Sequence, residues 1–432
     1  MTIGLLAACS DNDSFTTDRN ARLTFSRDTV RLDTLFSTVP SVTHTFWVYN
    51  RADDGLRISS VRLERGNQTG FRVNVDGTFL NPVAQDLEVR KGDSLRVFVE
   101  VTAYENHAED PRLVEDNLLF TLESGTVQKV NLRTYSWDAE KVSSLLIDRD
   151  TTIECSKPLV VYGSGICVAP GATLTLVNTT LYFHDEAWMR VEGKLVAQNS
   201  VLRGDRLDHM FDYLPYDRVS GQWRGIEVVR EADGLWMFDS EVRNAWDGIR
   251  ADSSSVILQN TVVHNNRGHA LYAKDSDVQL DYCQLTNAEG DCLALHGGSA
   301  AIDHCTLGQF YPLTYDAGAA LRFAAANRPV QLQCANTLIT GYQDDVLMGV
   351  ASDGETVAYS FDNCLIRTPE IKDDAGFTNI IWETPKDEVQ GTKHFVKVDE
   401  DNMIYDFTIK QTSPAYEPRI GRLFEEMKDK TE

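Results

Sequence analysis

The sequence predicts an all-β chain in two parts, an immunoglobulin-sized antiparallel β-sandwich followed by a right-handed parallel β-helix. Three observations carry that prediction. Residues 20–136 break into short runs of period-2 alternation separated by turn residues. Beyond residue 145, short segments repeat with an aliphatic residue at 226, 249, 271, 293, 321 and 347, at spacings of 23, 22, 22, 28 and 26. A second column, Asn260, Cys283, Cys305, Asn336 and Asn363, keeps in step with the first, just ahead of the third strand of each repeat.

The chain opens Met1-Thr2-Ile3-Gly4-Leu5-Leu6-Ala7-Ala8-Cys9. Leu6-Ala7-Ala8-Cys9 resembles a bacterial lipobox, in which the Cys is lipidated and becomes the mature N-terminus. Small residues before the Cys suit a peptidase with a narrow passage to the scissile bond. A basic n-region is missing and the apolar stretch is short, so residues 1–19 are expected to be a truncated lipoprotein signal and linker. Ser10-Asp11-Asn12-Asp13 looks like the acidic tag that exports Bacteroidetes lipoproteins to the outer leaflet. There are eight cysteines and no CxxC pair, which argues against a structural zinc site. Without Cys9 an odd number remains. Cys155 and Cys167 are close enough in sequence to bridge, and read equally well as buried thiols.

In 20–136 the clearest strand is 93–101, with Leu95, Val97, Val99 and Val101 on one face. Others are expected around Leu23, Phe46, Ile58, Val73, Leu119 and Val130. Asp53-Asp54-Gly55, Gly66-Asn67, Asp76-Gly77, Lys91-Gly92 and Ser124-Gly125 break them apart. About seven strands at this spacing suggest a sandwich. No Cys…Trp…Cys pattern marks an antibody-type domain, and no catalytic constellation is visible, so a spacer or docking module is expected.

Residues 145–392 carry the repeat. Each segment (Ile226, Ile249, Leu271 and so on) leads to a second apolar strand, such as Val256-Ile257-Leu258, and then a third, such as Thr261-Val262-Val263. Three short strands in about 22 residues make one rung of a parallel β-helix. One rung cannot bury its own apolar face, whereas stacked rungs ~4.8 Å apart can. The Asn/Cys column is expected to stack at a turn, with Cys as a small, partly apolar substitute for Asn. Earlier rungs are expected around Val160, Leu174, Leu181 and Leu195, with a corner at Ala169-Pro170-Gly171. Residues 393–432 read as a tail that covers the exposed last rung, helical near Phe424 to Lys428.

Composition narrows the functions. Lys and Arg number 41 against 65 Asp and Glu, a formal net charge of −24, which repels phosphate backbones and argues against nucleic-acid binding. No apolar run reaches the roughly 18 residues of a membrane span, so membrane contact is expected only through a lipid anchor.

The lipobox, Phe46-Trp47-Val48-Tyr49-Asn50, Gly171-Ala172-Thr173-Leu174-Thr175, Leu181-Tyr182-Phe183-His184, Gly204-Asp205-Arg206-Leu207-Asp208, Leu214-Pro215-Tyr216-Asp217-Arg218 and Gly221-Gln222-Trp223 together resemble a Bacteroidetes lipoprotein of the right-handed β-helix repeat family. The resemblance implies an immunoglobulin-like N-terminal sandwich, a β-helix and an outer-membrane address. It implies no agreed activity. The wider β-helix class holds polysaccharide lyases and hydrolases as well as adhesins, so fold does not decide function.

Candidate chemistry falls in three places. Asp247, His269 and Asp291 stand just ahead of the inward aliphatics, with Arg224, Ala319 and Asp345 in the same column. On successive rungs they would form an Asp–His–Asp stack fit for acid–base work, over a low floor of Gly225, Gly248, Ala270, Cys292 and Ala320. The bland alternative is that Asp and small residues merely make the turn. An outward column of Arg250, Tyr272 and Arg322, with Lys274 and His296 one position further, suits glycan binding, Arg forking onto carboxylates and Tyr stacking on sugar rings. Such residues also decorate any solvated sheet. The insertion 203–223 holds Asp205, Arg206, Tyr213, Tyr216, Asp217, Arg218 and Trp223, a functional-loop composition or a loop knotted down by its own Asp–Arg pairs.

No Walker A loop, HExxH, GxSxG or polygalacturonase-like pattern appears. Calcium would suit the acidity, but no ligand loop is legible, and no metal or other cofactor is assigned. The expected function is non-catalytic binding of a polysaccharide or a surface protein on a rigid rod at the cell surface. The alternatives are a polysaccharide lyase or glycoside hydrolase acting on an acidic polymer, and a structural envelope component or adhesin.

Overall fold

The computed structural model describes residues 14–209, 215–349, 357–383 and 391–422. Cys9, Tyr213 and the segment Phe424 to Lys428 lie outside the described residues. The chain divides into two compact units, Met1–Asp138 with Leu207–Met210, and Ala139–Arg206 with Phe211–Glu432. No helix among the described residues is long and apolar enough to cross a membrane.

In the first unit, period-2 alternation becomes two five-stranded sheets that form a β-sandwich. Leu95, Val97, Val99 and Val101 of strand Ser94–Val101 are buried, and they join Phe46, Val48, Val73, Phe120 and Leu132 in one core. Among the described residues, pairing between the strands is antiparallel except in one place, and the isolated bridge Phe15–Gly55 is also parallel. Strand Thr29–Phe36 runs parallel to Val127–Trp137, with Leu132 opposite Val30. The wholly antiparallel expectation fails there because these two strands are far apart in sequence. The intervening chain is long enough for the crossover that parallel pairing needs.

The second unit is a right-handed parallel β-helix, built as one continuous sheet of 26 strands that wraps on itself. It has three faces. Sheet A includes Trp188–Val191, Gly225–Val228, Ile249–Asp252 and Leu321–Ala324. Sheet B includes Lys194–Gln198, Gly234–Phe238, Ser255–Gln259 and Val330–Ala335. Sheet C includes Val201–Gly204, Glu241–Arg243, Val262–Asn266, Gln284–Ala288, Thr306–Gln309 and Leu338–Gly341. Strands Leu271–Asp281 and Leu293–Asp303 turn the corner from A to B without a break. Ile226, Ile249, Leu271, Leu293, Leu321 and Leu347 lie in register on consecutive turns. All are buried in one core, so the repeat read from sequence is the interior column of the coil.

The Asn/Cys column proves to be two adjacent columns. Asn260, Asn336 and Asn363 share their level with Asn178, Asn199, Asp239, Tyr282 and His304, and every one of these has a positive φ. Asn and Asp tolerate that left-handed bend best. They also ladder along the axis, with Asn363 Nδ2 donating to Asn336 Oδ1 at 2.7 Å and Asn199 Nδ2 to Asn178 Oδ1 at 2.8 Å. Cys283 and Cys305 sit one residue later, inside the coil, beside Thr261 and Thr337. Cys283 N–H donates to Cys305 Sγ, and Cys305 N–H to Thr337 Oγ1. The thiols therefore stand in for hydroxyls rather than for Asn. Cys155 and Cys167 are unbridged and half-buried.

The described part of the tail lies along the flank of sheet C rather than over the last rung. Leu338 and Leu365 point outward from sheet C and, with Phe310, need cover. Phe395, Phe407, Ile409, Ala415 and Ile420 provide it in a separate core.

Candidate functional site

The corner that leads into sheet A is tight. Gly225 has φ +98°, and a Cβ there would meet Asp247 O at 1.6 Å, so only glycine fits. The small residues at this level, Gly225, Gly248, Ala270, Cys292 and Ala320, are buried inside the coil. They are corner packing and not the floor of an open groove, because the strands close up against one another at that level.

One residue earlier in each rung the side chains turn outward, and the expected stack forms. Asp247 Oδ1 accepts the His269 backbone N–H at 2.8 Å and lies 3.4 Å from His269 Nδ1. His269 Nε2 lies 3.7 Å from Asp291 Oδ2. Arg322 Nε donates to that same oxygen at 2.8 Å, while Asp291 Oδ1 accepts Ala319 N–H at 2.7 Å. At the other end Arg250 Nη1 lies 3.8 Å from Asp247 Oδ2. The result is a connected chain of polar side chains, Arg250–Asp247–His269–Asp291–Arg322, along the outside of the coil. Asp247 and Asp291 also do the bland work expected of turn residues, since each takes a backbone N–H from the next rung.

Burial pushes the Asp247 carboxyl up, but the two hydrogen bonds from His269, with the charges of His269 and Arg250, outweigh it and hold the carboxyl below its ordinary value. Tyr272 lies beside the stack. Its ring centroid is 5.2 Å from His269 and 5.3 Å from His296, with the Arg250 guanidinium 4.7 Å above it. Burial lowers the His296 pKa despite the pull of Asp291, which favours a neutral ring there. Lys274 is half-buried, in register between Asp252 and His296.

A cleft of about 530 Å³ continues from Asp247 toward earlier rungs. Trp188, Trp246, Arg224, Arg250 and Arg267 line it. Trp246 is half exposed, with the Arg267 guanidinium 4.6 Å from its ring. Arg224 pairs with Glu186 and lies 5.6 Å from the Trp188 ring. Sequence reasoning picked out Trp223, Arg224, Asp247 and Arg250 here but missed Trp188, Trp246 and Arg267. The available signal was Trp246 itself, a large aromatic directly ahead of Asp247 at a turn.

The end of the insertion reaches this cleft, where Gly221 and Trp223 help line it, while its earlier described residues are held elsewhere. Asp205 bonds His184 Nδ1 at 2.7 Å, and burial raises its pKa. The Arg206 guanidinium lies 4.1 Å over the Tyr216 ring. Asp217 and Arg218 end a short 3-10 turn, and Arg218 Nη1 donates to Asn402 O at 2.8 Å. Trp223 was expected on an open loop and is buried. It stacks on Phe183 at 4.3 Å and donates from Nε1 to Arg243 O, because its level belongs to the interior column. The described part of the insertion is thus tied down mostly by contacts to the coil and the tail.

A family model described as right handed beta helix region matches residues 144–307. A search of curated proteins finds no match. Solved structures that show a weak likeness include the catalytic unit of a thermostable GH87 alpha-1,3-glucanase from Streptomyces thermodiastaticus. It is 11% identical, over 79% of this chain and 89% of that chain, with a TM-score of 0.32. Pectate lyase Pel3 from Pectobacterium carotovorum is 12% identical, over 79% of this chain and 96% of that one, with a TM-score of 0.19. A PapD-like domain of human CEP192 is 10% identical, over 32% of this chain and 99% of its own, with a TM-score of 0.20. Likeness at this level says nothing of what the chain binds. Fold and site together define a right-handed β-helix protein with a charged, aromatic groove outside sheet A.

Proposed function

We propose that the outer face of sheet A is a non-catalytic binding groove for a polysaccharide. One observation carries it: Tyr272 is only partly buried beside the Arg250–Asp247–His269–Asp291–Arg322 chain, so an aromatic ring and fixed hydrogen-bonding groups share one face. Sugars need that pairing, an apolar ring face against an aromatic and hydroxyls against charged forks. The groups sit on rigid strands, which lowers the ordering cost of binding. A glycan array followed by calorimetry on the full chain tests it. Tyr272→Ala should weaken the best glycan about tenfold. If no glycan binds, or if Tyr272→Ala leaves affinity unchanged, the groove is not the site.

A second reading has its own support. The His269 ring lies between two carboxylates, as a general base or acid would. A lyase or hydrolase acting on an acidic polymer would release unsaturated or reducing ends, and His269→Ala would abolish the release. In either case the N-terminal sandwich is an immunoglobulin-like spacer, and Cys9 carries the lipid that holds the protein at the cell surface. Loss of lipid label in Cys9→Ser would support that anchor.

A further inference from the structure

A second cleft, of about 610 Å³, lies between sheet C and the tail strand Ile404–Ile409. That volume is ordinary for a small-molecule site. One wall is aromatic. Tyr405 and Phe407 stand two residues apart on that strand, their rings parallel with centroids 5.6 Å apart. His264 of sheet C meets both edge-on, at 5.6 and 5.9 Å. The other walls are charged, yet balanced: Arg218, Arg243 and Arg422 against Asp217, Glu241 and Asp406. His264 adds no charge, because burial, helped by Arg243, pushes its pKa down to about 3. Arg243 Nε is 3.2 Å from Glu241 Oε1, and Gln284 Nε2 is used by Thr286 Oγ1. Arg243 Nε is buried and, despite that ion-pair distance, makes no hydrogen bond among the described residues.

We propose that this cleft is a separate carbohydrate site that takes a neutral sugar ring. An anionic ligand would add a charge to a lining that already sums to zero. A purely apolar one would take water away from the guanidinium and carboxylate groups that line the cleft and offer nothing in its place. A neutral polyol does neither. Its apolar face lies on Tyr405, and its hydroxyls bridge the Arg243–Glu241 pair, which both donates and accepts.

The walls are fixed in advance. The tail is pinned to the coil by Arg422, whose Nη2 donates to Asn260 Oδ1 at 2.7 Å. It is pinned again by His394, whose Nε2 is 3.3 Å from Glu383 Oε1 of the coil, while its Nδ1, 2.8 Å from Ser413 Oγ, ties the tail to itself. Neither the tail residues nor His264 belong to the groove on sheet A, so the two sites stand or fall independently.

The test is calorimetric titration of the full chain with neutral mono- and disaccharides and with their uronate counterparts, in three backgrounds. Saturable binding of a neutral saccharide should persist in Tyr272→Ala and fall about tenfold in Tyr405→Ala. Arg243→Gln, which leaves the tail core untouched, should fall likewise and guards against a Tyr405 variant that only loosens the tail. Three results would overturn the proposal: no neutral saccharide binds; binding disappears in Tyr272→Ala alone; or the uronate binds more tightly and responds to Arg243→Gln.

Discussion

Asp291 and Tyr272 are close neighbours with different duties, and substitution separates them. Asp291 is 7% exposed at its side chain and holds Ala319 N–H and Arg322 Nε at once. Asp291→Ala leaves a buried N–H without a partner, an effect of about 1–3 kcal/mol. Urea unfolding should show that loss of stability. Tyr272 is half-buried and packs its ring against His269, His296 and Arg250, so Tyr272→Ala should change stability by less than about 0.5 kcal/mol while weakening glycan binding. Equal destabilisation by both would make Tyr272 a structural residue. The Asp–His–Asp column was legible in the sequence because the spacing of 22 residues puts equivalent positions on adjacent rungs. Trp223 was misplaced for the converse reason. It lies in an insertion with no repeat partner to show which way its level faces, and only Phe183 beneath it decides that.

The tail is held by a buried charge cluster. Glu383 is 2% exposed and receives Lys393 Nζ at 3.0 Å, His394 Nε2 at 3.3 Å, Arg367 Nη1 at 3.6 Å and Thr340 Oγ1 at 2.9 Å, while Asp344 pairs with the other end of Arg367. Burial pushes its pKa up, but bonds from His394, Lys393 and Thr340 overcome that and hold it at about 2. A folded value below the ordinary one means the stabilisation is complete above about pH 4.5 and is lost as the pH falls toward about 2, a total of about 3 kcal/mol. Hydrogen exchange should therefore show residues 391–422 losing protection in that acid range. Glu383→Gln should lose it already at neutral pH, because Lys393 keeps its charge without that counterion and the buried Arg367 keeps only Asp344. Unchanged protection in both cases would mean that the apolar core of Phe395, Phe407 and Ile409 holds the tail alone. The sequence showed a covering tail but not what it covers. Outward-facing Leu338 and Leu365 betray that only once their register is known.

At the scale of the whole coil, most of the fold was legible because a parallel β-helix repeats one buried column, and Ile226, Ile249, Leu271 and Leu293 declare it by spacing alone. The sites were less legible, since they depend on loops and on the tail, which do not repeat. The same one-dimensional build predicts how the molecule opens. Each rung contacts its neighbours above and below, so stability is a sum of local terms rather than of one indivisible core. Leu271 is fully buried between Ile249 and Leu293, and Leu271→Ala should cost about 2–5 kcal/mol at that level. Buried thiols report where it is felt, with Cys283, Cys292 and Cys305 near the lesion and Cys364 several rungs away. In native buffer, alkylation followed by mass spectrometry should show the three near thiols reacting at least about thirtyfold faster than in the parent protein, at the 1.4 kcal/mol per tenfold that relates energy to population. Cys364 should accelerate far less. If all four accelerate by one common factor, the coil opens as a single body, and coupling between distant rungs is stronger than nearest-neighbour stacking allows.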